Sequence, residues 1–190
     1  FAEDTRRILA ALQEAEDAAS GTRAAARGTL AVTAPVLFGG MHLIPIVVQY
    51  LRELPEVDVQ CLFSDRVVNL LDESIDVAVR IGDLPDSSLH AIPVGDVRRV
   101  LVAEPGYLAV HGTPVVPQDL TRHTLIAATG VSALPEWRFD IDGKSHVQRI
   151  QARLRTNTND AAVTAALAGF GIARLLSYQV AEHLQRGDLQ

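Results

Sequence analysis

Apolar and small residues near the start of the chain recur at alternating intervals of four and three positions, from Phe1 to Ala19. This spacing is typical of a narrow stripe along one side of a helix. The first 20 residues contain neither glycine nor proline and are rich in strong helix formers, and Gly21 then supplies a stop. Charged residues beside so narrow a stripe favour a dimerising helix over one packed on its own domain. We therefore predict a linker helix over residues 1–22.

From residue 28 onward, short apolar runs alternate with amphipathic stretches. Strands are predicted over 29–34, 57–63 and 76–81. A helix over 41–54, ended by the following proline, separates the first two strands, and Pro45 suits it only near the first turn. Ser64 and Asp65 form an N-cap pair for a short helix through Leu71. The alternation of strand and helix predicts a parallel sheet with right-handed crossovers.

A second alternation of the same kind begins near residue 99. Further strands are predicted over 89–94, 99–103, 124–128 and 171–176, and further helices from Pro105, over 159–168 and up to about 184. The Asp142-Gly143 dipeptide predicts a hairpin turn within residues 137–155. We expect an α/β fold of two Rossmann-like lobes, with lobe I over 28–98 and lobe II over 99–190. Because open α/β sheets bind ligands at the carboxyl ends of their strands, a binding cleft is expected between the lobes.

Composition restricts the partners of the chain. The net charge is −6 and aromatic residues make up only 5% of the sequence, whereas a domain that neutralises DNA phosphates carries a basic stripe. Direct DNA contact is therefore not expected. No apolar run approaches the ~20 residues that cross a bilayer, and the first residues do not form a signal peptide. We expect a cytoplasmic protein without a membrane partner.

The sequence contains little candidate catalytic chemistry. Six histidines are scattered without metal-ligand spacing, and Cys61 is the single cysteine, so neither a metal site nor a cofactor is predicted. Residues 130–134 begin like a nucleophile elbow but lack its second glycine. Residues 169–174 begin like a dinucleotide-binding motif but follow a helix and open a strand, which reverses the required context. We predict a binding protein rather than an enzyme.

Polar residues stand instead where the predicted cleft would lie. The segment that joins the first strand to the first long helix offers the Thr33 hydroxyl and backbone N–H groups, and helix N-termini favour anions. Ser64 and Asp65 occupy the matching turn after the second strand, and Asn159 and Asp160 open a helix in lobe II. Each of these residues is also an ordinary helix cap. The residues alone leave capping and ligand binding open.

Several segments, in order along nearly the whole chain, resemble those of LysR-type transcription regulators. Residues 1–20 resemble the linker helix of this family. The other matching segments are 28–39 with GTLAV at its start, 76–89 (DVAVRIGDLPDSSL), 104–120 with EPGYLAVHG at its start, and 157–180 (NTNDAAVTAALAGFGIARLLSYQV).

The resemblance implies a periplasmic-binding-protein type II-like fold, with two lobes and a hinge, preceded by the linker helix. It also implies a small anionic or aromatic effector, dimers or tetramers, DNA binding through a helix-turn-helix domain absent from this chain, and a strand after Gln190 that returns to lobe I. Carried onto this chain, the residues expected to line the effector site are Thr33, Pro35, Val36, Leu37, Ser64, Asp65, Arg80, Gly82, Ala128, Thr129, Gly130 and Asn159.

Two other functions are compatible with such a fold. A solute-binding protein would need an export signal, and an enzyme would need a convergent catalytic set. The negative charge of Asp65 would also disfavour a carboxylate effector on its side of the cleft unless Arg80 or Arg174 offsets it.

Overall fold

The structure is a computed structural model that describes residues 26–66, 69, 70, 72–82, 89–128 and 136–190. The predicted linker helix over 1–22 lies outside the described residues. Within them, the chain forms a three-stranded sheet, a four-stranded sheet and a two-stranded hairpin. The three-stranded sheet and its helix make up lobe I, and the other two sheets with their helices make up lobe II. The boundary between residues 98 and 99 stays a prediction.

Lobe I is a parallel sheet with β1 (Gly28–Ala34) between β2 (Val57–Phe63) and β3 (Val77–Ala78). The register pairs the last residue of β1, Ala34, with the last residue of β2, so the carboxyl ends of these strands share one edge. Its central position explains why β1 carries three consecutive buried residues, from Val32 to Ala34. The predicted parallel arrangement is confirmed.

The helical segment α1 begins earlier than its amphipathic pattern predicts. It consists of an α-helical turn at Val36–Phe38, a π-helical turn at Gly39–Leu43 and an α-helix at Ile44–Glu53. Pro45 lacks an N–H, and its ring would crowd the carbonyl four residues earlier in a regular helix. The wider π-helical turn directly before it accommodates the ring, so the helix starts at residue 36 rather than 41.

The short helix predicted from Ser64 to Leu71 is wrong for the residues that the structure describes. Those residues form bends and turns, while Val67, Val68 and Leu71 lie outside the described residues. The Ser64 hydroxyl does accept the backbone N–H of Arg66 at 3.2 Å, as a local turn would provide.

Lobe II contains a sheet in the order β4-β9-β5-β8, from β4 (Arg99–Val102), β5 (Leu125–Ala128), β8 (Leu154–Thr156) and β9 (Ile172–Leu176). Strands β9, β5 and β8 are parallel, and β4 is antiparallel to β9.

Both faces of this sheet are covered. On one face, α3 (Asn159–Leu167) and α4 (Ser177–Arg186) bury residues such as Ile126 and Val180. On the other face, α2 (Pro105–His111), the 3-10 turn at Pro117–Arg122 and the hairpin enclose a second core, whose members are Ala103, Tyr107, Leu108, Leu120, Leu125, Trp137, Ile150 and Ile172.

The strand predicted over 89–94 does not form. The residues Ile92 and Val94 are 80% and 85% exposed, and residues 89–98 are irregular. A strand needs a neighbour for its backbone hydrogen bonds, and the described residues supply none here.

The predicted hairpin turn is confirmed, but the hairpin is shorter than predicted. It joins β6 (Glu136–Ile141) to β7 (Lys144–Arg149), and both turn residues have positive φ, 52° at Asp142 and 71° at Gly143, as a type I′ turn requires. Residues 154–156 belong to β8 instead. Arg149 and Arg155 therefore lie on different strands.

A close backbone approach in lobe II predicts a sensitive position. A Cβ atom built at Gly171 would overlap the carbonyl oxygen of Thr124, which already accepts the Ile172 N–H at 2.9 Å. We expect Gly171→Ala to lower the free energy of unfolding by about 1–3 kcal/mol, measured by urea denaturation. Gly40→Ala is the matched control because nothing lies within 4 Å of its added Cβ. Equal stability of the two variants would contradict the packing described here.

A candidate ligand-binding cleft between the lobes

In lobe I, the residues that follow the strands meet at the shared carboxyl edge. Thr33 is fully buried there, and its hydroxyl oxygen accepts a hydrogen bond from the Arg80 guanidinium at 3.3 Å. Arg80 also donates to the carbonyl of Val79 at 3.3 Å. Burial is the main cause that lowers the pKa of Arg80, against a smaller opposing effect of Glu73. The structure thus brings two of the predicted site residues into direct contact.

Asp65 caps a different helix from the one predicted. Its carboxylate accepts the backbone N–H of Val36, the first residue of α1, at 3.0 Å. A carboxylate is the group that a helix N-terminus favours. The prediction that this N–H would hold an effector carboxylate is therefore corrected, because the chain's own carboxylate occupies it. Pro35 and Leu37 flank this contact and are partly buried.

The predicted residues of lobe II are only partly described. Ala128 ends β5 and is partly buried, whereas Thr129 and Gly130 lie outside the described residues. Asn159 is the first residue of α3, as predicted, but Thr158 occupies the N-cap position. A hydrogen bond from the Thr158 side chain, together with backbone N–H groups, lowers the pKa of Asp160. In lobe I, Gly82 follows β3 with a φ of 124°.

Three aromatic side chains, which were not among the predicted site residues, connect the two lobes. Tyr178, at the start of α4, lies edge-on to Phe38 of α1, with ring centroids 5.6 Å apart. His42, one turn further along α1, lies 5.5 Å from the same Tyr178 ring and 5.1 Å from Phe38. Such edge-to-face contacts are favourable. They place the carboxyl end of β9, directly before α4, opposite the start of α1.

A signal for these residues was present in the sequence. Tyr178 stands two positions after Leu176, the last residue of β9, and residues just after the carboxyl end of a strand are the ones that line a cleft. The same rule selected Ser64 and Asp65. His42 has no comparable signal, because its place depends on where α1 begins.

Arg174 does not offset Asp65. Its guanidinium donates to the carbonyl oxygen of Arg138 at 2.6 Å and lies 5.5 Å from the Phe139 ring centroid. Burial, with a contribution from the positive charge of Arg99, lowers the pKa of Arg174 to about 10. Arg80, bonded to Thr33, forms no ion pair with Asp65 either. The carboxylate of Asp65 therefore has no arginine partner among the described residues.

The described residues contain no group of three or more His, Cys, Asp or Glu side chains placed to hold a metal ion. None of the described helices has both the length and the apolar character that a membrane crossing requires.

Comparison with known proteins identifies the family. The profile of the LysR substrate binding domain matches residues 23–190. The chain belongs to the LysR substrate-binding domain family. The resemblance seen in the sequence is thereby confirmed, and with it the identity of the chain as an effector-binding domain of the LysR type.

Relatives and a solved structure agree with this family. LtrA of Klebsiella pneumoniae, a probable HTH-type transcriptional regulator, is 32% identical over 184 residues, which make up 97% of this chain and 60% of LtrA. PtxR of Pseudomonas aeruginosa, an HTH-type transcriptional regulator, is 37% identical over 164 residues, 85% of this chain and 52% of PtxR. The structure of CrgA, a LysR-type transcriptional regulator from Neisseria meningitidis, matches with a TM-score of 0.76 at 26% identity.

The CrgA match covers 99% of this chain and 64% of CrgA. The periplasmic-binding-protein type II-like fold is confirmed by this likeness and by the parallel sheets described above. The chain spans between 52% and 64% of the length of these three proteins.

The contact between the lobes predicts that the charge of Asp65 affects the pKa of Tyr178. Burial is the main cause that raises the pKa of Tyr178, and the negative charge of Asp65 raises it further, because both disfavour the phenolate; a hydrogen bond with Gln179 acts in the opposite direction. We expect Asp65→Asn to lower the pKa of Tyr178 towards that of free tyrosine, measured by phenolate absorbance. Tyr178→Phe identifies which of the three tyrosines titrates. Asp58→Asn, at an exposed position, should leave the pKa of Tyr178 unchanged. A shift of equal size in Asp58→Asn would contradict the position of Asp65 near Tyr178.

Proposed function

We propose that this domain binds a small organic molecule, aromatic or anionic, between its two lobes, and that binding regulates transcription. The observation that carries the proposal is the meeting of Phe38 and His42 of lobe I with Tyr178 of lobe II. The partly buried Arg80, bonded to the buried Thr33, supplies a positive charge at the carboxyl edge of the lobe I sheet. Aromatic rings favour a flat apolar ligand, and Arg80 is suited to its anionic group.

The charges at the cleft support one orientation of the effector. The Asp65 carboxylate accepts the Val36 N–H and repels a second carboxylate at that position. The Arg80 guanidinium has five N–H groups. It donates hydrogen bonds to the Val79 carbonyl and the Thr33 hydroxyl, and its remaining N–H groups could bind a ligand. An anionic effector would therefore direct its charge towards Arg80 and its apolar part towards the rings of Phe38 and Tyr178.

Signalling would follow from a shift between lobe arrangements. An effector that binds one arrangement more tightly shifts the population towards it, with a coupling free energy of about 1–3 kcal/mol. In our proposal, lobe I (28–98) and lobe II (99–190) transmit this shift through the linker helix (1–22) of a cytoplasmic dimer or tetramer. A helix-turn-helix domain outside this chain would then contact DNA.

The relatives favour this role over the two alternatives. LtrA and PtxR are named as transcriptional regulators, and neither is named as a transport protein or an enzyme. The cleft residues described above also form a contact network rather than a nucleophile with its base. We therefore propose a regulatory binding domain, with no catalytic activity and no cofactor.

Removal of the Arg80 charge tests the cleft. We expect a panel of benzoate-type carboxylates to contain compounds that raise the melting temperature of the chain, and Arg80→Gln to weaken their binding about tenfold or more, because a charge-assisted hydrogen bond is lost. Calorimetric titration measures the change. Arg52→Gln, at an exposed arginine near the end of α1, is the control with the same loss of charge.

Failure of the whole panel to bind, or equal weakening by Arg80→Gln and Arg52→Gln, would contradict the cleft proposal. Ser64→Phe provides a steric test at a partly buried position, and binding that survives it would also contradict the proposal. A bulky residue at Thr33 is a poorer test, since that side chain is fully buried and its replacement would disturb β1.

The regulatory step is tested in the full-length regulator. We expect a compound that binds the cleft to change the affinity of the regulator for its operator DNA by about 5–150-fold, which corresponds to the coupling free energy above. Fluorescence anisotropy with labelled DNA measures this change, and the Arg80→Gln regulator should bind DNA without responding to the compound. A cleft ligand that leaves DNA affinity unchanged would contradict regulation while leaving the binding site intact.

A further inference from the structure

Lobe II contains a cavity that is separate from the cleft between the lobes. It has a volume of about 640 Å³ and lies where the 3-10 turn, the start of β5, the end of β7 and β8 meet. The cleft lies at the carboxyl end of β5, and this cavity lies at the amino end, beside Leu125. Cavities of roughly 300–1,000 Å³ are the usual size of small-molecule sites.

The floor of this cavity is apolar and firmly packed. Leu120, Leu125 and Ile150 line it, and their side chains are only 1%, 2% and 8% exposed. All three belong to the core cluster that also contains Trp137 and Tyr107. The floor is therefore part of the lobe's own core, and a ligand would contact the few atoms of these side chains that reach the cavity.

Two arginines line the same cavity without a charge partner. Arg149 ends β7 and Arg155 lies in β8, and both are exposed. Neither guanidinium has a hydrogen bond or ion pair among the described residues. Among the other arginines of lobe II, Arg174 donates to a carbonyl oxygen, and Arg153 lies over the ring of Phe170. Two cations therefore lie at one cavity in a chain with a net charge of −6.

A histidine adds a neutral donor to this site. The hydroxyl oxygen of Tyr107 accepts the Thr124 N–H at 3.0 Å and lies 3.2 Å from Nδ1 of His123. In the tautomer in which the tyrosine hydroxyl donates to Nδ1, the ring carries its proton on Nε2 and can donate it to a ligand. Burial and the nearby His111 lower the pKa of His123, against a smaller opposing effect of Asp119.

We propose that this cavity is a second binding site, specific for a small organic anion. The negative group lies between the guanidinium groups of Arg149 and Arg155, which are suited to carboxylate and phosphate oxygens. The apolar body of the ligand covers Leu120, Leu125 and Ile150, and His123 donates a hydrogen bond at the rim. A ligand here contacts only lobe II, so it binds without requiring lobe closure.

Titration with phthalate, a flat ring with two carboxylates, tests this site. In the 190-residue chain labelled with ¹⁵N-histidine, we expect phthalate to shift the His123 ring signals in a saturable manner. Arg149→Gln and Arg155→Gln should each weaken this binding about tenfold, through loss of a charge-assisted pair. Arg52→Gln in lobe I removes the same charge from an exposed position and should leave binding unchanged. Circular dichroism establishes that each variant is folded.

Two further ligands define the chemical class. Benzyl alcohol has a ring without a charge and should not bind, and inorganic phosphate has charge without a ring and should bind more weakly than phthalate. Phosphate that binds as tightly as phthalate would overturn the role of the apolar floor. Equal weakening by Arg52→Gln and Arg155→Gln would reduce the effect to general charge attraction and overturn the site.

The cleft variant Ser64→Phe separates the two sites. It should leave the phthalate response of His123 unchanged, so the failure of either proposal is distinguishable from the failure of the other. A His123 response that disappears in Ser64→Phe would overturn the second site, because the signal would then arise from ligand bound in the cleft.

Discussion

The carboxyl end of β1 is held from both sides by charged side chains, and the arrangement of lobe I depends on this. Asp65, after β2, accepts the first N–H of α1, and Arg80, after β3, donates to the buried Thr33 hydroxyl. Both bonds join residues far apart in sequence across one edge of the sheet. The bond from Arg80 satisfies the buried Thr33 hydroxyl, which would otherwise be costly where water is excluded.

Lobe II differs from lobe I in the way that its sheet is covered. Helices α3 and α4 bury one face, and α2, the 3-10 turn and the hairpin bury the other. This double cover fixes Tyr178 at the start of α4, where its ring meets Phe38 and His42 of α1.

Much of the fold could be predicted because its signals are local. The strands β1 and β2, the end of α1 before its proline, the Asp142-Gly143 turn and the start of α3 follow from apolar runs, helix breakers and turn chemistry over a few residues. Predictions failed where the outcome depended on a distant partner. The apolar run near Ile92 has the pattern of a strand but finds no neighbouring strand among the described residues.

The sequence by itself determined the family, the two-lobed α/β architecture and the set of strand ends from which a cleft is built. It placed Ser64 and Asp65 at such an end because the residue after a parallel strand is recognisable from the strand alone, and it placed Asn159 at the start of a helix. Only the tertiary structure decided what each one does. Asp65 caps α1 rather than its own segment, Arg174 turns towards β6, and Tyr178 contacts Phe38 of lobe I. Their partners come from elements brought together only by packing, and packing between distant segments leaves no periodic trace in the chain.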